Sequence, residues 1–322
     1  MALFRNLLRS PAVARPVPLD PADGDPFAAR GVALDAAALM GLRHLARRGA
    51  GRATRNLVGL PGGIVTRRRG RGSEPDDVRP YAEGDDVRHI DRNATARTGT
   101  LHTRTHHEER DRAVLLLADF RPSMLFGTRR ALRSVAAAEA LALLGWRIVG
   151  DGGRIGLVVA SADPEPISLR PTGGGRGMGA LAGALARAHA LALAAPLRPD
   201  PPLVPALARA QSLLPAGGHL VIASALDDPG EGFEAALTAL AERVSLSLIL
   251  VSDPFERAPP PGLYPFATPD GQRGTARAGR RPPSADDRLA RWARAGLEGV
   301  RLDAESGPES FAPLMERLDA VL

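Results

Sequence analysis

The sequence predicts an α/β protein built on a doubly wound, mainly parallel sheet. Residues Ala113–Asp119 form an unbroken apolar run that ends in a carboxylate, as expected for a strand buried on both faces of a parallel sheet. From that run to the C-terminus, segments with a helical apolar period alternate with short β-rich segments. Alternation of this kind places helices on both faces of one sheet.

Three segments precede that first central strand. Residues 1–30 are rich in Pro, Asp and Ala without apolar periodicity, which predicts a flexible arm. Apolar residues at helical spacing predict a helix over Leu34–Leu45, with Asp35 in its first turn. Residues Asn56–Arg112 are rich in Gly and Arg and contain short alternating runs such as Thr100–His106, which predicts an irregular extension with strands.

The remaining elements follow Asp119 in alternation. The predicted strands are Ile155–Ala160, Ile167–Arg170, His219–Ser224, Leu246–Val251 and Val300–Asp303. The predicted helices are Arg130–Val149, Met178–Ala190, Leu203–Leu213, Phe233–Arg243, Ala285–Ala295 and Glu309–Leu322. Prolines and a Pro-Asp-Gly turn at 269–271 interrupt this order and predict a β-hairpin inserted near 256–282.

Composition excludes several kinds of site. The chain has no Cys, so it has no disulfide, thiolate metal site or Cys nucleophile, and a cytoplasmic location is expected. Its positive charge is all Arg, and the net charge of +6 is spread along the chain and attracts anionic partners only mildly. No apolar run approaches the ~18 residues of a membrane span, so we expect none.

A specific residue pattern runs from Arg79 to Gly127. It comprises Arg79-Pro-Tyr81, Gly84-Asp85-Asp86, Arg88, Ile90-Asp91, Ala96-Arg97, Glu108, Asp119, Ser123-Met124 and Phe126-Gly127. This pattern, with the later Val251-Ser-Asp253-Pro254 and Glu256, resembles the bacterial family called domain of unknown function 58. The resemblance covers roughly Leu34 to Leu322.

The resemblance implies a von Willebrand factor A-like domain over 113–322 behind a family-specific N-terminal segment over 31–112. It also implies association with MoxR-type AAA+ ATPases in the assembly or maturation of other proteins. We therefore expect a non-enzymatic, protein-binding accessory factor whose partner is a MoxR-type ATPase or a client of that ATPase. We do not expect an enzyme, because the sequence contains no recognisable arrangement of a nucleophile and a base.

Related domains of this fold hold a divalent cation in a metal-ion-dependent adhesion site. That site uses an Asp-x-Ser-x-Ser strand end, a Thr from a second loop and an Asp from a third. Here Asp119 and Ser123 match the first and last positions of the strand end, and Thr172 is the candidate from the second loop. Ala225 stands at the third-loop position, with Asp227 and Asp228 displaced along the chain. Asp119, Ser123 and Thr172 are thus the candidate Mg²⁺ ligands of an adhesion-type alternative.

Arg121 replaces the first Ser of that motif. A guanidinium beside Asp119 repels a divalent cation and pairs with the carboxylate itself. We hypothesise that an Arg121–Asp119 ion pair takes the place of the metal, and we expect no cofactor. The predicted protein-contact residues at this edge of the sheet are Asp119, Arg121, Ser123, Thr172 and Asp227.

Other polar groups have competing interpretations. Asp85, Asp86 and Asp91 suit either acid-base chemistry or an ion-pair network with neighbouring arginines, and we favour the network. The histidines at 89, 102, 106 and 107 do not converge on one face of a strand, which indicates surface residues. The glycine run 173–179 lacks a phosphate-binding signature and predicts a loop before a helix. Arg67–Arg71 leaves a nucleic-acid binder as a second alternative, but only one aromatic residue, Tyr81, lies nearby, and we favour a solvated basic loop or a patch for an acidic protein partner.

Overall fold

The computed structural model describes residues 31–46, 75–82, 90–106, 113–196, 199–267, 272–278 and 288–319. The strands are β1 Pro75–Pro80, β2 His102–His106, β3 Ala113–Asp119, β4 Arg154–Ala160, β5 Ile167–Gly173, β6 His219–Ser224, β7 Ser245–Ser252, β8 Gly262–Ala267, β9 Arg273–Ala278 and β10 Glu298–Asp303. The α-helices are α1 Ala36–Gly41, α2 Arg92–Thr98, α3 Arg133–Gly150, α4 Gly174–Ala194, α5 Val204–Leu213, α6 Phe233–Ala241, α7 Pro254–Arg257, α8 Arg288–Arg294 and α9 Ala312–Asp319.

Six strands form the central sheet in the order β5-β4-β3-β6-β7-β10. All neighbours are parallel except β5, which runs antiparallel to β4. Strands β3, β4 and β5 therefore extend the sheet to one edge. The chain then crosses back, and β6, β7 and β10 extend the sheet from β3 to the other edge. This order has its topological switch point between β3 and β6.

Strand β3 is buried on both faces because helices cover each of them. Val114, Leu116 and Ala118 belong to one buried cluster, whereas Leu115 and Leu117 belong to the other. This split follows the two-residue side-chain period of a strand. Helices thus cover both faces of the sheet, as the alternation of helical and strand segments along the sequence predicted. The predicted fold class is confirmed.

The chain divides into two compact units, residues 56–112 and residues 1–55 with 113–322. The sequence prediction grouped helix α1 with the segment 31–112, but in the structure this helix belongs to the larger unit. Leu39 is 2% exposed within a core cluster, and Trp146 Nε1 donates to its carbonyl oxygen at 3.4 Å. The apolar face of α1 thus completes the packing around α3. The predicted arm over 1–30 lies outside the described residues.

Helix α4 begins at Gly174, so the glycine run expected to be a loop forms its first turns. Gly177 allows this start, because a Cβ there would lie 2.2 Å from the Thr172 carbonyl oxygen. By length and composition α4 is also a candidate membrane span, with a mean hydropathy of 1.3 over an 18-residue window. Half of that window is buried inside the protein, which makes it weak evidence for a span.

The predicted hairpin is present as antiparallel β8 and β9, paired from Gly262 with Ala278 to Ala267 with Arg273. Its turn at 269–271 lies outside the described residues. The hairpin follows the short helix α7, which places it beyond the end of β7 at the carboxyl edge of the sheet.

A buried histidine makes stability sensitive to acid. His189 is completely buried, and its Nε2 lies 2.9 Å from Ser134 Oγ and its ring edge-on to Phe120. Burial lowers the pKa of His189 from its ordinary value of 6.5 to about 4. Because the unfolded chain binds this proton first, the stabilisation is complete above pH 6.5 and is lost as the pH falls toward about 4.

We expect His189 to account for a loss of roughly 3 kcal/mol over that pH range. The His189→Gln variant keeps a polar group beside Ser134 but does not titrate. Urea unfolding of both proteins at neutral pH and near the lower pKa isolates this contribution from that of the carboxylates. Equal acid sensitivity in the two proteins would show that His189 is protonated without cost in the folded state.

Candidate functional site

Two buried side chains mark the switch point of the sheet. Asp119 is the last residue of β3, and Ser224 is the last residue of the adjacent parallel strand β6. Ser224 Oγ donates to Asp119 Oδ2 at 2.6 Å, and both side chains are completely buried. In sheets of this order, ligands bind in the crevice beyond these strand ends. Here Asp119 lies beneath that crevice.

Arg121 closes the crevice over Asp119. Its Nε donates to Asp119 Oδ1 at 3.0 Å and its Nη2 donates to Asp119 Oδ2 at 2.9 Å. The backbone N–H of Arg121 also donates to Asp119 Oδ1, at 3.0 Å. A two-point pair of this kind is stronger and more directional than a single contact. Arg121 is only 1% exposed. The ion pair hypothesised from the sequence is therefore present.

The third guanidinium nitrogen of Arg121 joins two other loops to β3. Its Nη1 donates to the carbonyl oxygens of Pro201 at 2.8 Å and Asp228 at 2.9 Å, and lies 3.9 Å from Asp200 Oδ2. Burial opposes the charge of Arg121, but the attraction and hydrogen bond of Asp119, together with the charges of Asp200 and Asp228, outweigh burial and raise the pKa of Arg121. Arg121 thus remains a cation that ties three loops together at the switch point.

Asp200 is a member of this site that sequence reasoning missed. Its Oδ1 accepts the backbone N–H of Ser123 at 2.9 Å, and its side chain is 13% exposed. Burial raises the pKa of Asp200, although Ser123 and Arg121 act in the opposite direction. The residue stands in a proline-rich connection between α4 and α5, where no apolar period marks it. Only the fold brings that connection to the switch point.

Thr172 does not belong to this site. It pairs with Ile155 near the start of β4, whereas Asp119 pairs with Ala160 at the end of β4. Five residues along a strand correspond to about 16 Å. Thr172 is exposed, and its Oγ1 donates to the Arg170 carbonyl oxygen at 3.2 Å. Because β5 runs antiparallel, the end of that strand reaches the amino edge of the sheet, and the prediction of a second-loop ligand there is wrong.

A second charged cluster, the ion ring, lies beside the switch point and consists of Arg133, Asp227, Glu256 and Arg288. Arg133 is buried, and the other three side chains are partly buried. Arg133 Nη1 donates to Asp227 Oδ2 at 2.9 Å and to Glu256 Oε1 at 2.7 Å. Arg288 donates to the other oxygens of the same two acids, at 2.5 Å and 3.1 Å. Arg133 Nη2 also donates to the Ser123 carbonyl oxygen. The ring therefore joins the starts of α3 and α8 to the loops after β6 and β7.

Asp227, a predicted contact residue, has a structural position in this ring. Burial raises its pKa, but nearby positive charges, with Arg133 the strongest of them, outweigh that effect and the pKa is lowered. Its side chain is 9% exposed. Glu256 is fixed by a capping box with Asp253, which also binds the Thr128 hydroxyl at 2.6 Å. That Asp-Pro-Phe-Glu capping signature was visible in the sequence, but the arginine partners were not.

An open apolar groove lies on the same carboxyl edge. It encloses about 460 Å³ and is lined by the loop after β3, by α7 and by the start of the hairpin. Its walls hold the aromatic residues Phe126, Phe255 and Tyr264 and the prolines Pro254, Pro260 and Pro265. Arg129 is the only charged residue among those that line it. The lining of the groove is therefore mainly apolar, whereas Asp119 and Arg121 lie below the surface.

The family-pattern residues of the smaller unit support its local structure where they are described. Asp91 Oδ1 accepts the N–H groups of Asn93 and Ala94, both at 2.9 Å, and so caps α2. Arg97 is in the last turn of that helix. Tyr81 N–H donates to the Leu101 carbonyl oxygen at 2.8 Å. Arg79 lies opposite Thr103 in the antiparallel register of β1 and β2. Gly84, Asp85, Asp86, Arg88 and Glu108 lie outside the described residues.

The described residues supply no candidate for a metal cluster and none for the arginine-mediated nucleic-acid site. Within residues 31–46, 75–82, 90–106 and the described parts of 113–319, no group of three or more His, Asp or Glu could hold a metal ion. His102 Nδ1 lies 3.1 Å from Thr98 Oγ1 at the surface. The histidines at 89 and 107 and the arginine run 67–71 lie outside those ranges.

The family profile described as "Protein of unknown function DUF58" matches residues 77–277, which is more than half of the chain. The chain belongs to the DUF58 family. This DUF58 protein is 37% identical over 92 residues to uncharacterized proteins of Mycobacterium tuberculosis (strain ATCC 25618 / H37Rv) and Mycobacterium bovis (strain ATCC BAA-935 / AF2122/97). Those matches span 29% of this chain and only 29% of the length of each relative.

Solved structures similar to this DUF58 protein have low sequence identity. The conserved hypothetical protein BatB from Bacteroides thetaiotaomicron is 15% identical, with 65% of this chain and 99% of that chain covered and a TM-score of 0.45. The SpRpn10 VWA domain is 13% identical, with 63% and 93% covered and a TM-score of 0.40. The strand order confirms the predicted doubly wound, mainly parallel α/β fold.

Proposed function

We propose that this DUF58 protein is a non-enzymatic accessory factor that binds other proteins at the carboxyl edge of its sheet. The observation that carries the proposal is a contrast between two neighbouring places on that edge. The crevice that would receive a small ligand is filled by the Arg121 guanidinium, whereas an apolar groove of about 460 Å³ remains open. Open apolar and aromatic surface of this kind suits a protein partner.

The charges at the switch point favour binding over catalysis. Asp119, Arg121 and Ser224 are buried, and both Arg121 and Ser224 donate hydrogen bonds to Asp119, so none of the three presents a reactive atom to a substrate. The same cation argues against the adhesion-type alternative, because a divalent ion beside Asp119 would have to displace a two-point ion pair. The groove is then the surface by which the edge makes contact.

The partner we propose is a MoxR-type AAA+ ATPase or a client of that ATPase, as the family resemblance implies. We place this interaction in the cytoplasm, where a chain without Cys needs no oxidising compartment. The groove offers this partner a mainly apolar surface with three aromatic rings, three prolines and one arginine.

Affinity purification from the host organism, with ATP and Mg²⁺ or with EDTA, tests the proposal. The matched variants are Tyr264→Ala in the groove and Thr172→Ala at the opposite edge. We expect a AAA+ ATPase to elute with the unchanged protein and with Thr172→Ala, and to be depleted at least tenfold with Tyr264→Ala. Elution of nucleic acid alone, or equal recovery of the ATPase with both variants, would contradict the proposed surface.

A further inference from the structure

The groove has the chemistry of a site for an extended, proline-containing peptide. The ring centroids of Phe126 and Phe255 lie 6.3 Å apart, and those of Phe255 and Tyr264 lie 4.8 Å apart in an edge-on arrangement. Proline rings complete the walls. Grooves lined by aromatic side chains bind polyproline II segments, because such a segment is already extended and loses little entropy on binding.

A positive charge at the rim selects among such peptides. Arg129 lines the groove, and its Nη1 lies 2.7 Å from Glu305 Oε1. This pair is exposed, at 66% for Arg129 and 40% for Glu305. Exposed ion pairs contribute only about 0–1 kcal/mol, so a peptide carboxylate can take the place of Glu305 at little cost. The fitting ligand is therefore proline-rich and acidic.

The N-terminal arm of the same chain has this composition. Its stretch Pro16–Phe27 reads PVPLDPADGDPF and contains four prolines, three aspartates and no basic residue. The chain as a whole carries a net charge of +6, so this stretch is a local exception. Prolines every two to five residues favour polyproline II, and the aspartates supply the carboxylates that suit Arg129.

The arm joins the larger unit next to the groove. The Gly31 carbonyl oxygen accepts the Leu132 N–H at 2.8 Å, and a Cβ on Gly31 would lie 1.9 Å from the Arg130 carbonyl oxygen. The arm therefore begins beside the residue that follows Arg129. Six residues separate Asp25 from Gly31, and six extended residues span at most about 20 Å. The acidic stretch thus lies within reach of the groove.

We propose that Pro16–Phe27 binds in the groove of its own molecule, with an aspartate beside Arg129. The arm then covers the surface by which a partner binds, and a partner has to displace it. This regulatory consequence rests on the proposed function. The docking itself does not, because it involves this chain alone.

The absence of Cys makes a direct test simple. In the full chain, Leu19→Cys combined with Ala258→Cys places one thiol in the arm and one at the groove, where Ala258 is exposed. The matched control combines Leu19→Cys with Thr172→Cys, an exposed position at the opposite edge. The twelve residues from 19 to 31 span up to about 40 Å. Because a six-stranded sheet is only about 24 Å wide, the arm is long enough to reach the control position as well as the groove.

We expect the groove pair to form an intramolecular disulfide at least tenfold faster than the control pair under mild oxidation. Changing Asp20, Asp23 and Asp25 together to Asn should slow the groove pair several-fold, because the pairing with Arg129 is lost. Equal rates for the two pairs would overturn the proposal. A disulfide between two chains, detected as a covalent dimer by mass, would assign the groove to the arm of a second copy. Because this test uses the purified protein without a partner, a negative result would not affect the conclusion drawn from the affinity purification.

Discussion

Replacing Asp119 with alanine is expected to lower the free energy of unfolding by about 3–5 kcal/mol. The substitution leaves the Arg121 guanidinium buried at 1% exposure without the carboxylate that balances its charge. Ser224 Oγ loses its acceptor at the same time. Urea unfolding at neutral pH, followed by circular dichroism, measures this loss directly.

The control for this prediction removes both charges. The double variant Asp119→Leu with Arg121→Met leaves no buried ion, so most of the lost stability should return. A double-mutant cycle built from the single variants Asp119→Leu and Arg121→Met and their double variant should give a coupling energy of about 2 kcal/mol or more. A single Asp119→Ala variant within about 1 kcal/mol of the unchanged protein would mean that water or another anion reaches Arg121.

Replacing Arg133 with alanine is the second large effect, again about 3–5 kcal/mol. Arg133 donates to Asp227, Glu256 and the Ser123 carbonyl oxygen, and it is 3% exposed. Without it, two carboxylates face each other with only Arg288 between them. The loops after β3, β6 and β7 then lose a common anchor, and we expect the groove lined by two of them to loosen as well.

Arg129→Ala is the matched control, because Arg129 lies four residues away but is 66% exposed. Its loss should change stability by no more than about 0.5 kcal/mol. The acid profile gives a second test. The lowered pKa of Asp227 means that its stabilisation is present above the pKa of the unfolded chain and is lost as the pH falls through the folded-state pKa. Arg133→Ala should therefore flatten the decline in stability toward acid. A variant as acid-sensitive as the unchanged protein would contradict the role assigned to the ring.

The Asp119–Arg121 pair and the ion ring imply that the carboxyl edge of the sheet is rigid. Arg121 joins the loops after β3 and β6 and the connection before α5, while the ion ring joins the starts of α3 and α8 to the loops after β6 and β7. A preorganised surface loses less entropy on binding a partner. Asp119, Arg121 and Arg133 therefore act by positioning these loops, since each of the three side chains is at most 3% exposed.

The sequence predicted the central elements well because burial leaves a strong signal. A strand such as Ala113–Asp119, covered on both faces, has to be apolar throughout, and helices packed on one side show a period near 3.6 residues. The pairing of Arg121 with Asp119 was also predictable, because two residues of opposite charge two positions apart at a strand end have few other partners within reach.

Other contacts depend on chain reversals that no local pattern records. Thr172 lies near the end of β5, but that strand runs antiparallel, so its end lies at the opposite edge from Asp119. Asp200 and Arg288 lie 77 residues from Ser123 and 61 residues from Asp227, the groups that they bind. Contacts over such separations exist only once the sheet is assembled, because the strand order decides which loops meet.

By itself, the sequence determined the doubly wound sheet, the inserted hairpin, family membership and the cation beside Asp119, since each depends on residues that are close along the chain or on burial that shows as a period. The tertiary structure alone decided which edge each loop reaches. It also decided that Asp119, Arg121 and Arg133 are buried, and that a mainly apolar groove next to the attachment point of the arm is open at this edge. The physical reason is that exposure and long-range pairing are properties of the packed chain, and a side chain's type does not state which neighbours will cover it.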